Sequence, residues 1–414
     1  MPSAEPNTPD RGAAIDGAPI GTREFVALIA SLMAMGALGI DSMLPALPAI
    51  ADSLGVTVAN HRQYVIMVFG AGFGVAQLIH GPLADRYGRR NVLLVSLALY
   101  AVANVCAAIA GSFELLLAAR FAGGACVAAT RVATVAMVRD CYSGRAMARI
   151  MSLAFMIFMI VPIAAPAFGA AVLLFGDWRT IFWVVAGLAL VVMAWLWVRM
   201  PETLHAEDRR PIEAAPILAG WRITLTDRYS LGYTLAAAAL TGALYGYLGS
   251  IEQIMAETFA RPKLLVVVFA TTAGMMAVAN LLNSRIVMSL GTRRIAHGAL
   301  VLLITASALH FAIAAAGYES LIGFGILMAV MMACFALSTS NFSAMAMEKM
   351  GHIAGTASSV QGFLAMTLGT ALGAAIGQGF DGSVLPMVGG FLLAALVALA
   401  LAAKTERGRL FQPA

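Results

Sequence analysis

Charged side chains are scarce in this sequence. Asp, Glu, Lys and Arg make up 11% of the 414 residues, whereas 61% are hydrophobic. Soluble domains carry about 25% charged residues. This deficit excludes a soluble domain and predicts a membrane protein.

Several common chemical signatures are also missing. No Walker A sequence is present, and the glycine-rich run Gly70–Gly74 lies in an apolar stretch, which favours close helix packing over nucleotide binding. Any transport must then use a gradient and no bound cofactor. Neither CxxC nor metal-ligand spacing occurs, and the cysteines are predicted to be small hydrophobic residues: Cys106, Cys126, Cys141 and Cys334.

The N-terminal residues 1–22 lack the order of a cleaved signal peptide, in which a basic region precedes an apolar one. We expect a short disordered cytoplasmic tail there.

Long apolar stretches are abundant. Because a membrane helix needs about 20 apolar residues, the sequence predicts twelve of them. They cover approximately residues 24–44, 62–82, 91–111, 114–138, 147–175, 178–198, 229–250, 264–284, 295–316, 319–345, 354–379 and 384–403.

A polar segment, residues 201–228, interrupts this pattern and predicts a cytoplasmic linker between bundles 23–200 and 229–403, followed by a cytoplasmic tail 404–414. A degenerate repeat supports two halves, because Gly291-Thr292-Arg293-Arg294 after the eighth stretch echoes Gly88-Arg89-Arg90 after the second.

Positive charge alternates between the two sides of the predicted membrane. The net charge of +5 could suggest an anionic partner such as nucleic acid. However, most Lys and Arg fall in segments on one side, which is the positive-inside pattern. We therefore predict no nucleic-acid partner and place both termini and the linker in the cytoplasm.

The charged run after the second stretch carries two glycines seven residues apart, an acid and arginines: Gly81, Asp85, Arg86, Gly88, Arg89 and Arg90. We expect a short loop in which the Asp85 carboxylate caps the positive N-terminus of the eleventh helix. This latch would form when the protein is open outward and break when it is open inward. The alternative is charge that only sets topology.

Few charges lie inside the predicted helices, where they are costly and usually functional. Asp41 falls in the first helix, and burial favours the protonated form of a carboxyl group, which a proton carrier requires. Arg120 and Arg131 are eleven residues apart in the fourth helix, so they should share one face about 16 Å apart. We expect both to face a cavity and Arg120 to pair with Asp41 until Asp41 is protonated. The alternatives are an acid already in water and a static ion pair.

Other candidates lie in the fifth, seventh and tenth helices. Pro162, Pro166 and Gly169 should loosen the fifth helix and serve gating, or only packing. Glu252 is either a second coupling acid in the cavity or a surface acid. Substrate contacts are predicted for four further side chains, of which the last two could equally be core or lipid-facing: Tyr245, Tyr247, Met331 and Phe335.

These residues resemble the motifs of the major facilitator superfamily. The charged run resembles its signature between helices two and three, and Arg120 matches the buried arginine of its fourth helix. Gly123 stands where a glutamine is common. Ala165-Pro166-x-x-Gly169-Ala170 resembles the antiporter motif, with alanines for two usual glycines.

Within that superfamily the chain is similar to the Bcr/CflA-type drug:proton antiporters. The similarity rests on residues 38–48, 137–142, 177–182 and 354–359. It implies twelve helices in two pseudo-symmetric six-helix bundles in the bacterial inner membrane, with Asp41 binding proton and substrate.

We therefore expect a monomeric exporter of amphipathic drugs, such as phenicols, or of metabolites, in exchange for protons. A proton-coupled or passive importer is the alternative. A membrane sensor that has lost transport is a third reading, and an enzyme is the least favoured because no nucleophile–base pair stands out.

Overall fold

The computed structural model describes residues 17–209 and 211–412, and within them it is all-α, with no strand. Of the predicted N-terminal tail, residues 1–16 lie outside this description. Twelve helical segments are long and apolar enough to cross a membrane. They are α1 (Thr22–Ser53), α2 (Ala59–Tyr87), α3 (Arg89–Ala108), α4 (Phe113–Cys141), α5 (Gly144–Val172), α6 (Trp178–Arg199), α7 (Arg228–Thr258), α8 (Pro262–Leu290), α9 (Thr292–Ala315), α10 (Leu321–Met347), α11 (Ala354–Gln378) and α12 (Leu385–Thr405).

Local sequence signals fix several helix ends. Ser112 and Asp177 accept hydrogen bonds from the first turns of α4 and α6, and Asp227 and Ser320 do the same for α7 and α10. At the C-terminus of α3, Arg179 Nη1 donates to the carbonyl oxygens of Ala108 and Ala110. A cation at a helix C-terminus also complements the helix dipole.

The segments form two halves, α1–α6 and α7–α12, as the twelve-helix prediction requires. The halves meet where α2 packs along α11 and where α5 packs against α8. Between the halves a linker helix, Ala214–Thr226, lies on α11, and Gly220 faces Thr356 there. The all-α membrane fold is confirmed.

The predicted loop at residues 81–90 is wrong in one respect. The α2 helix continues through Pro82 to Tyr87, and the chain turns at Gly88 alone before α3 begins at Arg89. Gly88 has φ +96°, a conformation that only glycine adopts readily. A Cβ atom at this position would also collide with the Glu202 carboxylate.

Three helices near the centre of the N-terminal half are interrupted. The first part of α1 ends at Asp41 and is followed by a 3-10 turn, Leu44–Ala46. The break in α4 falls at Ala128, and that in α5 falls at Met159. Pro162 explains the last break, because its ring cannot sit in a regular helix against the carbonyl four residues earlier.

One buried arginine holds together the linker end of the N-terminal half. Arg89 Nε lies 2.9 Å from Asp140 Oδ2, and Arg89 Nη2 lies 3.0 Å from Asp85 Oδ1. Glu202 Oε1 accepts a hydrogen bond from the backbone N–H of Arg89 at 2.8 Å. These contacts tie α2, α3, α4 and the start of the linker together.

The C-terminal half repeats this arrangement around Arg293. Arg293 Nε lies 2.8 Å from Glu406 Oε1 and its Nη2 lies 3.0 Å from Glu348 Oε2. The Tyr233 hydroxyl donates to the same Glu406 oxygen at 2.6 Å. The weak sequence repeat therefore corresponds to a real structural repeat, although the acids stand at different places.

We expect Glu406→Gln to destabilise the protein by about 1.5–3 kcal/mol, because Arg293 would lose a nearly buried, charge-assisted partner. The matched control, Glu348→Gln, removes the more exposed acid on the same arginine (46% side-chain exposure against 9% for Glu406). It should cost less than about 1 kcal/mol. Thermal unfolding of the purified protein in detergent compares the two.

The stability difference between Glu406→Gln and wild type should depend on pH. Burial alone would raise the pKa of Glu406, but the hydrogen bonds from Tyr233 and Arg293 outweigh it, and the pKa lies below its ordinary value of 4.5. The contribution of Glu406 is therefore complete above about pH 4.5 and is lost as the pH falls through the lower folded pKa. Equal unfolding temperatures for both variants at neutral pH would contradict this account.

Candidate transport site and outer gate

Asp41 ends the long first part of α1 and is buried, with 6% exposure. Among the described residues nothing donates a hydrogen bond to its carboxyl group or forms an ion pair with it. The turn that follows it, Leu44–Ala46, contacts α7 of the opposite half. Asp41 is thus a buried acid near the interface of the halves.

The predicted pairing of Arg120 with Asp41 is wrong for this conformation. Arg120 Nη2 donates to the Gly39 carbonyl at 2.8 Å, and its Nε donates to the Val65 carbonyl at 3.0 Å. The guanidinium also lies 4.2 Å from the Phe69 ring centroid. Backbone oxygens and an aromatic face satisfy this charge, so it stabilises the packing of α1, α2 and α4.

Arg131 behaves differently from Arg120, and the prediction of a common face is also wrong. The chain turns at Ala128, where the Arg131 N–H bonds to the Ala128 carbonyl three residues earlier. This tighter turn changes the helical phase between the two arginines. Arg120 is 2% exposed, whereas Arg131 is exposed.

The predicted substrate-binding side chains do not all lie at the interface of the two halves. Tyr245 packs against Gly70 of α2 and approaches Met366 of α11, so it lies where the halves meet. The Tyr247 hydroxyl is bonded to Thr272 Oγ1 at 2.8 Å within the C-terminal half.

Met331 and Phe335 lie inside the core of the C-terminal half, with 0% and 5% exposure. Both are therefore core residues in this conformation, which was the alternative to substrate contact.

The fifth helix touches the first one immediately beside Asp41. A Cβ atom at Gly169 would collide with the backbone carbonyl of Ser42 and lie 3.2 Å from Pro45 Cγ. Pro166 is buried within the same short helix, Ile160–Val172. The glycine therefore permits a backbone contact that places α5 against the residue after the proton-binding candidate.

An ion cluster that we name the outer gate joins the halves at the end opposite the linker. Arg62, at the start of α2, lies 3.1 Å from Glu252 Oε2 through Nε and 2.6 Å from Glu257 Oε1 through Nη2. The Glu252 side chain is only 5% exposed. Glu252 is therefore paired with a cation of the other half. It lies neither free in the cavity nor open on the surface.

Amide side chains next to these charges extend the outer gate. Gln63 donates to Gln253 Oε1 and, at 3.0 Å, to the Gly377 carbonyl. Gln253 Nε2 donates to Asn60 Oδ1 at 2.8 Å, and Gln378 Nε2 donates to the Asn60 carbonyl at 2.8 Å. Polar groups of α2 are thus matched by α7 and α11 of the other half.

At the linker end the ion pairs of Arg89 and Arg293 stay within their own halves. Asp85 pairs with Arg89, and Arg90 Nη2 donates to the Trp197 carbonyl at 2.7 Å, while Arg86 is exposed. In this conformation the end opposite the linker is joined by ion pairs, and within the described part of the chain Asp85 forms no hydrogen bond or ion pair with the start of α11. The predicted latch stays a prediction for the outward-facing conformation.

The sequence reasoning missed Asn60, Arg62, Gln63, Gln253 and Glu257. A signal was available, because a polar run opens the second apolar stretch and two acids follow the seventh. Nothing in the sequence shows that these runs meet. No group of three or more His, Cys, Asp and Glu among the described residues is placed to hold a metal ion.

Fold and site together define a multi-pass membrane transporter. Residues 27–374 match the profile of the Major Facilitator Superfamily, and the chain belongs to that family, which is one of transporters and not of enzymes. The Bacillus subtilis (strain 168) protein named "Uncharacterized MFS-type transporter YdgK" is 31% identical over 360 residues, or 84% of this chain and 87% of the relative.

Two further relatives confirm the similarity to Bcr/CflA-type exporters. A "Bicyclomycin resistance protein homolog" of Haemophilus influenzae is 26% identical over 92% of this chain and 94% of its own length. A "Chloramphenicol resistance protein" of Pseudomonas aeruginosa is 35% identical over 43% of this chain and 42% of its own.

A solved structure, a bacterial homolog of the human lysosomal transporter Spinster described as inward-facing and unoccupied, has a TM-score of 0.66 at 13% identity. It covers 94% of this chain and 96% of its own. At this identity the likeness shows the fold alone.

We expect Arg62→Gln to open the outer gate, because Glu252 would be left buried without its cation. A loss of about 2 kcal/mol would raise the outward-open population roughly thirtyfold. Spin labels at Val58 and Lys263 lie at the ends of the two halves that are opposite the linker. The distance between these labels, measured by double electron–electron resonance, should be longer in Arg62→Gln than in wild type.

The labels require a chain whose four native cysteines are replaced. Arg261→Gln is the control, because it removes an exposed arginine near the same end of α8. An unchanged distance distribution in Arg62→Gln, with wild-type stability, would show that the cluster does not hold the outer side closed.

Proposed function

We propose that this protein exports small amphipathic compounds, drugs such as phenicols or related metabolites, in exchange for protons by alternating access. The printed names of its relatives, which include resistance to bicyclomycin and chloramphenicol, support this substrate class. The proton gradient supplies the energy, and no cofactor takes part.

One observation carries the exchange mechanism. Asp41 is a buried carboxyl group at the interface of the halves, with no ion-pair partner among the described residues. Such a group either carries a proton or, as a carboxylate, accepts hydrogen bonds more strongly from a donor group of the substrate. We propose that the two therefore compete, so that binding of one favours release of the other, which is the requirement for antiport.

The position of the ion pairs supports alternating access. The outer gate joins the halves, whereas Arg89 and Arg293 each hold one half together. Each half can thus move as a unit when the gate opens, and the close contact of α5 with α1 at Gly169 stays within the N-terminal half. In the outward-facing state Asp85 would then meet the start of α11.

The positive-inside pattern supports an inner-membrane location with the linker and both termini in the cytoplasm. The two halves already enclose the site within one chain, so we propose that the monomer is the working unit.

We expect chloramphenicol to release protons from the purified wild-type protein in weakly buffered detergent solution, and Asp41→Asn to abolish this release. Asp52→Asn, an exposed acid on the same segment, is the control and should behave like wild type. A pH-sensitive dye measures the release. Chloramphenicol binding without proton release from wild type would contradict exchange at Asp41.

Transport direction separates the exporter from the importer. In everted vesicles with an acidic interior, an exporter accumulates chloramphenicol inside and dissipates the pH gradient. An importer would move the compound out of these vesicles, and a passive one would leave the gradient unchanged.

A further inference from the structure

We infer that a groove on the N-terminal half binds one anionic phospholipid of the leaflet at the linker end of the membrane. The phosphate lies between Arg23 and Arg149, and one acyl chain lies against Leu153, Met156 and Ile157. This site does not include Asp41, and it goes beyond the proposed exchange of drugs and protons.

The groove lies between the beginning of α1 and the first part of α5. Its volume is about 710 Å³, which falls within the range of about 300–1,000 Å³ that is typical of small-molecule sites. Arg23 and Val26 line it from α1, Tyr142 lines it from the residue after α4, and Arg149 lines it from α5 together with the apolar side chains that follow. One half of the protein therefore supplies all of these walls.

The first part of α5, Gly144–Phe158, is poorly covered by the rest of the protein. It packs on α1 and on the end of α4, whereas the second part, Ile160–Val172, packs on α8 of the other half. In the apolar window of α5 22% is buried, compared with 28–78% in the other eleven spanning segments. Leu153, Met156 and Ile157 are 37–58% exposed. An acyl chain on this wall removes its apolar surface from water.

The charged groups of the groove are confined to one end. Arg23 is the second residue of α1, and Arg149 lies in the second turn of α5. Ile157 follows Arg149 by eight residues, which corresponds to about 12 Å along a helix axis. One leaflet contributes about 15 Å to the hydrocarbon core of a bilayer. The groove thus has the polarity profile of one leaflet, with cations at the linker end and an apolar wall toward the membrane centre.

The two arginines of the groove lack a protein anion. Both side chains are exposed, and within the described part of the chain neither forms a hydrogen bond or an ion pair. The acids nearest to them in the sequence are engaged elsewhere, because Glu24 pairs with Arg199 and Asp140 pairs with Arg89. A phosphate between the two guanidinium groups would accept charge-assisted hydrogen bonds from both.

A basic end joined to an apolar wall fits an occupant with an anionic headgroup and a long hydrocarbon body. Arg145, one turn before Arg149, brings a third arginine to the same side of α5. Free phosphate would leave the apolar wall uncovered, and an uncharged drug such as chloramphenicol would leave the arginines unpaired. A phosphatidylcholine would bring its own cation to them. An anionic phospholipid satisfies both parts of the groove, as anionic headgroups do in basic pockets between membrane helices.

The test adds dioleoylphosphatidylglycerol or dioleoylphosphatidylcholine to the delipidated full-length protein, and native mass spectrometry measures the affinity of the first bound lipid. Wild type should bind phosphatidylglycerol about tenfold more tightly than phosphatidylcholine, because only the former has a net negative charge. The double variant Arg23→Gln/Arg149→Gln should lose this preference, with phosphatidylcholine binding changed less than about twofold.

The matched control is Arg285→Gln/Arg294→Gln, which removes two exposed arginines from the linker end of the C-terminal half. It should keep the preference for phosphatidylglycerol. Equal affinities for the two lipids in wild type would overturn the inference, and so would an equal loss of preference in both double variants.

A second measurement needs no variant. Phosphatidylglycerol that carries a photoreactive diazirine in one acyl chain is cross-linked to the wild-type protein, and peptide mass spectrometry locates the adducts. They should concentrate on residues 149–157 of α5, and unlabelled phosphatidylglycerol should displace them at a concentration at which phosphatidylcholine does not. Adducts spread evenly over the spanning helices would show that no defined site exists. Displacement by inorganic phosphate or by chloramphenicol would assign the groove to that compound and overturn the inference.

Discussion

A charge inside a membrane protein must be paired, bonded to polar backbone groups or in contact with water, and this constraint orders the whole structure. Arg120 meets it through the carbonyls of Gly39 and Val65, which fixes α4 against α1 and α2. Arg62 and Glu252 meet it by pairing across the two halves. Asp41 has no ion-pair partner among the described residues, and Arg131 is exposed in the middle of α4. The first two arrangements hold the molecule together, whereas the last two leave charged groups without a protein partner.

The two halves use the same device for internal cohesion. In each, an arginine in the first turn of the third helix of the half contacts an acid at the end of the fourth helix and another just after the sixth. Arg89 contacts Asp140 through its side chain and Glu202 through its backbone N–H, and Arg293 contacts Glu348 and Glu406 through its side chain. The N-terminal half adds Asp85, where the C-terminal half has Met288, which is 91% exposed. The arginine clusters that hold each half together are thus alike. Asp85, the acid predicted to meet α11, has no counterpart at Met288.

Much of the fold could be predicted because hydropathy depends on local composition. The twelve helices, the two halves and the linker all follow from apolar runs and their interruption. The loop at 81–90 could not be placed, because Pro82 and the charges suggested a loop where the helix continues to Tyr87. The partner of Arg120 was missed since backbone carbonyls leave no mark in a sequence. The outer gate was missed because Arg62 and Glu252 are far apart in the chain, and only packing shows that they meet. Asp41, in contrast, was found because an acid within an apolar run is conspicuous.

The location of the gate has a consequence for energetics. Breaking the outer gate exposes Glu252 and Arg62 to water, so much of the lost attraction is recovered as hydration, and the cost of opening is moderate. Breaking the Arg89 or Arg293 clusters would separate helices within one half and lose packing as well as charge pairing. The protein therefore opens most easily between the halves. Under the proposed exchange, substrate and proton would supply only the free-energy difference between an outer gate closed by ion pairs and one opened to water. Asp41 would couple the two in this proposal, because an ionised carboxyl group in a buried position is tolerated only when a substrate group or water reaches it.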